Sequence, residues 1–153
     1  MLGALLSLTT CCICPCGEAA APDAISDLTG QHEVVQRRDP AIGIRGLLRF
    51  ALEAAGNGWS PPAIEEALHL ARSMQDQDSA STTFGNYRWR LGDDAVTDPN
   101  AVEFATQLTS LLRLTCADSL TPAARDLLDA LHRDARVAIQ RHVVKPGYTN
   151  IHL

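Results

Sequence analysis

Four times in this chain a residue with a short polar side chain stands directly before a proline: Asp39-Pro40, Ser60-Pro61, Asp98-Pro99 and Thr121-Pro122. An Asp, Ser or Thr at a helix N-cap accepts hydrogen bonds from the orphan amides of the first turn. Proline at the next position needs no amide partner, and its φ is already helical. Each pair opens a stretch of apolar residues at helical spacing. The first stretch aligns Ile44, Leu47, Leu48, Ala51, Leu52 and Ala55 and stops at Gly56-Asn57-Gly58. The second carries Ile64, Ala67, Leu68 and Ala71, with Glu65 and Glu66 early in the helix, where its dipole favours acids. The third aligns Phe104, Leu108, Leu111 and Leu112, beside Ala101 and Ala105. The fourth runs through Ala124, Leu127, Leu128, Leu131, Ala135, Ala138 and Ile139 and is expected to end near Lys145-Pro146-Gly147. Such stripes each need a facing helix. No run of alternating β-branched residues competes with them, so the expected fold class is all-α.

Spacing adds an arrangement. The first and third openings lie 59 residues apart and the second and fourth 61. Within each pair the connection is short, at Gly56 to Trp59 and Ala117 to Leu120, which predicts antiparallel neighbours and hence two helical hairpins with a period near 60. Tetratricopeptide and HEAT-type units are shorter, at about 34 and roughly 40–47 residues. A hairpin array rarely stops at two units, and Tyr148 to Leu153 reads as the opening of a further element, so the natural protein is expected to continue.

The N-terminal segment reads differently. Residues 1–21 contain no Lys or Arg, an apolar run through Leu8, and Ala19-Ala20-Ala21 before Pro22, the pattern of a cleaved export signal without its basic start. The apolar run is too short for a membrane span, which takes about 20 such residues. The expected location is therefore periplasmic or secreted, with no stable membrane insertion. Acylation at Cys11, after Leu8-Thr9-Thr10, is the alternative. Cys11, Cys12, Cys14 and Cys16 all lie in this segment without the paired spacing of a zinc site, so neither a metal nor a cofactor is expected. Cys116 follows Leu108 and Leu112 at helical spacing and reads as a small core residue. Residues 22–38 are polar and aperiodic and read as a loosely packed lead-in to a helical domain over 39–153. A formal net charge of −5 with scattered basic residues offers no surface for nucleic acid.

Chemistry has one conspicuous place to sit. The connection from about Gln75 to Asp98 is long for a compact domain, and such loops often bind ligands. Phe84, Tyr87 and Trp89 fall within six residues there, interleaved with Asn86, Arg88 and Arg90. Flat rings beside amide and guanidinium groups suit a sugar, and an arginine can grip a uronate carboxylate bidentately. The structural alternative has the aromatics pinning the loop to the helices and the arginines paired with Asp93, Asp94 or Asp98. Asn100 and Glu103 open the third helix, where Glu103 reads as a capping and dipole residue. Tyr148, Asn150 and His152 carry groups able to move protons, or simply form a solvated turn after Pro146-Gly147. His69, His132 and His142 lie on helices at no ligand spacing. No nucleophile elbow, phosphate loop or Rossmann signature occurs.

The run Gly85-Asn86-Tyr87-Arg88-Trp89, the run Asp98-Pro99-Asn100-Ala101-Val102-Glu103-Phe104 and the run Gly147-Tyr148-Thr149-Asn150-Ile151 together resemble the N-terminal helical repeats of exported bacterial alpha-toroid proteins. That group includes the six-hairpin glycosidase-like and heparinase- or alginate-lyase-like domains. The resemblance spans Asp39 to Leu153 and implies a partial α/α toroid whose loops line a polysaccharide cleft. No catalytic residue carries over position by position. The implied function is the N-terminal part of a carbohydrate-active protein, such as a lyase of acidic polysaccharide. Asn86, Tyr87, Arg88, Trp89 and Arg90 would bind substrate, and Tyr148 and His152 would handle protons. The rivals are a helical protein-interaction module without chemistry and a truncated product without a role of its own.

Overall fold

The computed structural model describes residues 22–142. Five α-helices occupy them: α1 Pro22–Gln36, α2 Ile44–Gly56, α3 Pro61–Met74, α4 Ala101–Thr115 and α5 Pro122–Arg141. Among the described residues the only β-type pairing is two isolated antiparallel bridges, Gly43 with Arg90 and Gln75 with Tyr87. The all-α expectation stands. The export signal and the candidates Tyr148 and His152 lie outside the described residues.

The four proline signals mark four helices, but only one works as a side-chain cap. Thr121 Oγ1 accepts the Ala124 amide at 3.1 Å, with Pro122 as the first residue of α5. Ser60 makes no such bond, although α3 does begin at Pro61. The two Asp-Pro pairs instead build tight turns ahead of their helices. Asp39 Oδ1 accepts the amide of Ala41 at 2.8 Å, and Asp98 Oδ1 accepts that of Asn100 at 2.9 Å. Such Asx turns use up the carboxylate two residues on, so α2 waits until Ile44 and α4 until Ala101. At the other end, α5 stops at Arg141, short of the expected boundary near Lys145.

Packing joins α2 to α3 and α4, and α5 to the same two helices. The contacts are made close by alanine: Ala51, Ala54, Ala55, Ala63, Ala67, Ala71, Ala101, Ala105, Ala124 and Ala135 are almost fully buried. Leu47, Leu48, Phe50, Ile64, Leu68, Leu112, Leu128 and Leu131 fill the space between them. The stripes of α2, α3 and α5 face inward as the spacing predicts. On α4 the inward face is turned toward Ala101, Val102, Ala105, Thr109 and Leu112, and Leu111 is exposed. The small side chains let α4 approach its neighbours, which the bulkier Phe104–Leu108–Leu111 stripe would hold apart.

Residues 22–38 are not a loose lead-in. They contain all of α1, which packs on α2 and α3 with Leu28 and Val35 buried. His32 completes the contact. Its ring lies 5.9 Å from Phe50, stacked, and 5.4 Å edge-on from Trp59, while Nε2 meets Glu66 Oε2 at 3.0 Å. Two apolar residues and an imidazole are too few to register as periodicity, so the sequence conceals the helix. Cys116 is buried and free, as its spacing predicts.

Candidate functional site

The long connection between α3 and α4 is laced to the helices by its backbone. Arg88 donates its amide to Met74 O at 3.0 Å, and Leu91 and Gly92 donate to Ile42 and Pro40, each at 2.9 Å. In return the Ile44 amide, first of α2 and without a side-chain cap, donates to Trp89 O at 2.9 Å. The connection therefore supplies the cap that Asp39 does not. Its first half folds around Asp76, whose carboxylate accepts the Ser81 and Thr83 hydroxyls at 2.6 Å each and the Asp78 amide at 3.0 Å. Burial raises the pKa of this carboxyl, but those three donors outweigh it and hold the group below its ordinary value.

At Gly85 the connection presses onto α5. Gln75 Nε2 bridges Gly85 O at 2.9 Å and Leu131 O at 3.1 Å. Beneath it, Arg72 Nη2 meets Asp134 Oδ2 at 2.6 Å, and Arg72 Nη1 also donates to Gln75 Oε1. Tyr87 sits in this region with 1% of its surface exposed, and its hydroxyl is buried without a hydrogen-bond partner. Burial pushes its phenol well above the usual range, Arg72 lowering it and Asp134 raising it.

Most of the five residues expected to bind substrate are thus committed to the fold. Asn86 is buried, accepts the Tyr87 amide at 2.7 Å through Oδ1 and donates to Pro99 O at 3.1 Å. Arg88 spends its guanidinium on Asp93 O and Ser73 O, both at 2.8 Å, rather than on a carboxylate. Trp89 is partly buried, donates to Asp98 Oδ2 at 3.0 Å and packs against Phe104, over which Arg45 lies at 4.7 Å. Arg90 alone is exposed, its amide held by Asp93 Oδ2. Tyr87 offers a clean test of this inward role. Removing an unpaired buried hydroxyl returns its desolvation cost, so Tyr87→Phe is expected to stabilise the chain by up to about 1 kcal/mol in urea melts. A clear loss of stability would mean that the hydroxyl has a partner.

A different group of residues meets solvent in a way that permits chemistry. A cleft of about 290 Å³ is lined by Thr82, Thr83, Asn86, Pro99, Ala138, Arg141 and His142. His142 Nδ1 lies 2.8 Å from Glu103 Oε1, with both side chains largely buried. A carboxylate can only accept, so Nδ1 presents a proton to Glu103, while Nε2 makes no hydrogen bond among the described residues. Arg141 gives one bond at 3.3 Å to Ser81 O, leaving other guanidinium donors available. Sequence does not reveal this pair, because its members stand 39 residues apart, Glu103 on α4 and His142 just past the end of α5. The early position of Glu103 on α4 was the visible half of the signal. His132 is otherwise engaged, bonding Thr109 at 2.9 Å, with its pKa lowered by burial and by Arg113 against the opposing effect of Asp129. Among the described residues no group of three or more His, Cys, Asp or Glu side chains could hold a metal ion, and no helix is long and apolar enough to cross a membrane. Comparison with protein-family models, curated proteins and solved structures finds no match to the chain.

Proposed function

We propose that this chain is the helical part of an exported carbohydrate-active protein, and that the His142 cleft is where it holds an acidic saccharide. The observation that carries the reading is a carboxylate-backed imidazole beside a guanidinium on one open cleft. Arg141 takes a uronate carboxylate, the Thr82 hydroxyl meets the polar rim of the sugar, and His142 Nε2 accepts from it. In this reading α2–α3 and α4–α5 are successive hairpins of a partial α/α toroid. Their short connections and the packing of α2 on α4 and α3 on α5 support that arrangement.

A lyase of acidic glycans would use the same groups. His142 Nε2 takes the proton on the carbon next to the carboxylate, and the electron pair left behind forms a carbon–carbon double bond. The glycosidic oxygen departs with its bonding pair and collects the proton back from the imidazolium. Arg141 stabilises the charge that builds on the carboxylate meanwhile.

The test uses an oligogalacturonate and titration calorimetry. Arg141→Ala is expected to weaken binding about 10- to 100-fold, the usual worth of a charge-assisted pair. His142→Gln is expected to keep most of the binding and lose the ultraviolet absorbance of the unsaturated product. Binding without that absorbance in the wild type leaves a non-catalytic saccharide-binding module. If the wild type does not bind the oligosaccharide at all, the reading fails.

A further inference from the structure

We infer that Arg45, with Arg49 and Arg90 beside it, is a second anion-holding subsite, so that the ligand is an extended polyuronate rather than a single acidic sugar. The inference rests on the saccharide reading of the His142 cleft and adds where the rest of the ligand lies.

Arg45 is exposed on the first turn of α2, and its guanidinium carbon stands 4.7 Å from the centre of the Phe104 ring. Phe104 in turn packs on Trp89 with ring centres 5.7 Å apart, and the indole is fixed by its bond to Asp98 Oδ2 at 3.0 Å. A guanidinium stacked on a ring is held by its flat face, so its N–H edge stays open to a carboxylate. Among the described residues no carboxylate forms an ion pair with it. The stack leaves Arg45 little side-chain freedom to lose on binding, which makes it a preorganised receptor.

Two further cations flank it. Arg49 is exposed one turn along the same face of α2. Arg90 is exposed on the connection, whose bridge to Gly43 sets it beside the start of α2. Neither is in an ion pair among the described residues. The acids of the connection are turned to other groups. Asp93 Oδ2 accepts the Arg90 amide at 2.8 Å, and Asp98 holds the indole and the Asn100 amide. In a chain of net charge −5, these unpaired guanidiniums make a local reversal of sign.

The same stack decides which polyanion fits. Single-stranded nucleic acid needs open aromatic faces for its bases, but Arg45 covers a face of Phe104 and Trp89 packs against the same ring. A polyuronate needs only guanidinium forks at intervals, one for each carboxylate it presents. Continuity with the cleft comes from the start of α4. Pro99 lines the cleft while its neighbour Asp98 holds Trp89, and Glu103 meets His142 while its neighbour Phe104 carries Arg45. A saccharide chain crossing that turn reaches both sites.

Titration calorimetry on the full chain with two probes, digalacturonate and long polygalacturonate, separates the sites. The wild type is expected to bind the long chain about tenfold or more tightly than the dimer, the scale of one charge-assisted pair. Arg45→Gln combined with Arg90→Gln is expected to remove that gain and leave dimer binding and helical circular dichroism unchanged. Arg45→Lys keeps the charge without the fork, and its gain should fall between the two. Dimer binding with no gain for the long chain, or a gain that survives Arg45→Gln with Arg90→Gln, overturns this subsite and leaves the cleft standing. Long-chain binding that is lost in that double variant but indifferent to Arg141→Ala keeps the subsite and overturns the cleft. If neither probe binds, both fall.

Discussion

Gly85→Ala is expected to cost about 2–6 kcal/mol, the combined scale of a non-glycine residue at a strained φ and an overpacked contact. Both penalties apply at this one position. Gly85 has φ +84°, and a Cβ built there would lie 2.0 Å from the Asp134 carbonyl oxygen and 2.6 Å from its carbon. Neither atom can swing away, because they belong to the backbone of α5. Accommodating the methyl means lifting the connection off the helix, which parts Gln75 from Gly85 O or Leu131 O and opens the Tyr87 pocket. For a domain of this size the loss corresponds to a fall in Tm of roughly 5–25 °C. Gly58 is the control. It also has a positive φ, +63°, but nothing lies within 4 Å of its Cβ position, so Gly58→Ala should cost only the strain. Equal melting temperatures for the two variants would show that the connection does not touch α5 as described.

The second large effect concerns the charge pair under the same connection. Arg72→Met is expected to destabilise by about 3–5 kcal/mol in urea unfolding, the range for breaking a buried ion pair from one side. It leaves the Asp134 carboxylate, 9% exposed, with only Arg133 at 3.3 Å, a side chain 70% exposed and well screened. Adding Asp134→Leu to Arg72→Met should recover part of the loss, since the stranded charge is then gone. The double variant is thus expected to be more stable than Arg72→Met alone. If the two substitutions simply add, Asp134 was never dependent on Arg72, and the pair is not what holds α3 to α5.

These expectations turn on details of differing legibility. The helices α2, α3, α4 and α5 could be read from four proline signals and from 3.6-residue periodicity. Both are local, since they depend on φ, on a missing amide and on which side chains share a face. Helix α1 could not be read, because its hold on α2 and α3 comes from Leu28, Val35 and a His32 ring stacked on Phe50. An imidazole packed among rings looks in sequence like any polar residue.

The candidate site was less legible still. The aromatic and arginine cluster was visible, but its direction was not. Burial of Tyr87 and Asn86 depends on the approach of Gly85 to α5, a contact between residues 49 positions apart. Sequence likewise showed Glu103 and His142 only as separate helical residues, and only the packing of α5 on α4 brings them within 2.8 Å. What the sequence by itself determined is roughly where four of the five helices begin and that they bury one side, because backbone sterics and side-chain periodicity act over a few residues. Tertiary structure alone decided which side of α4 turns inward, which aromatic rings become core, and that His142 meets Glu103. Those outcomes depend on neighbours supplied from elsewhere in the chain, and on whether their shapes let two backbones meet.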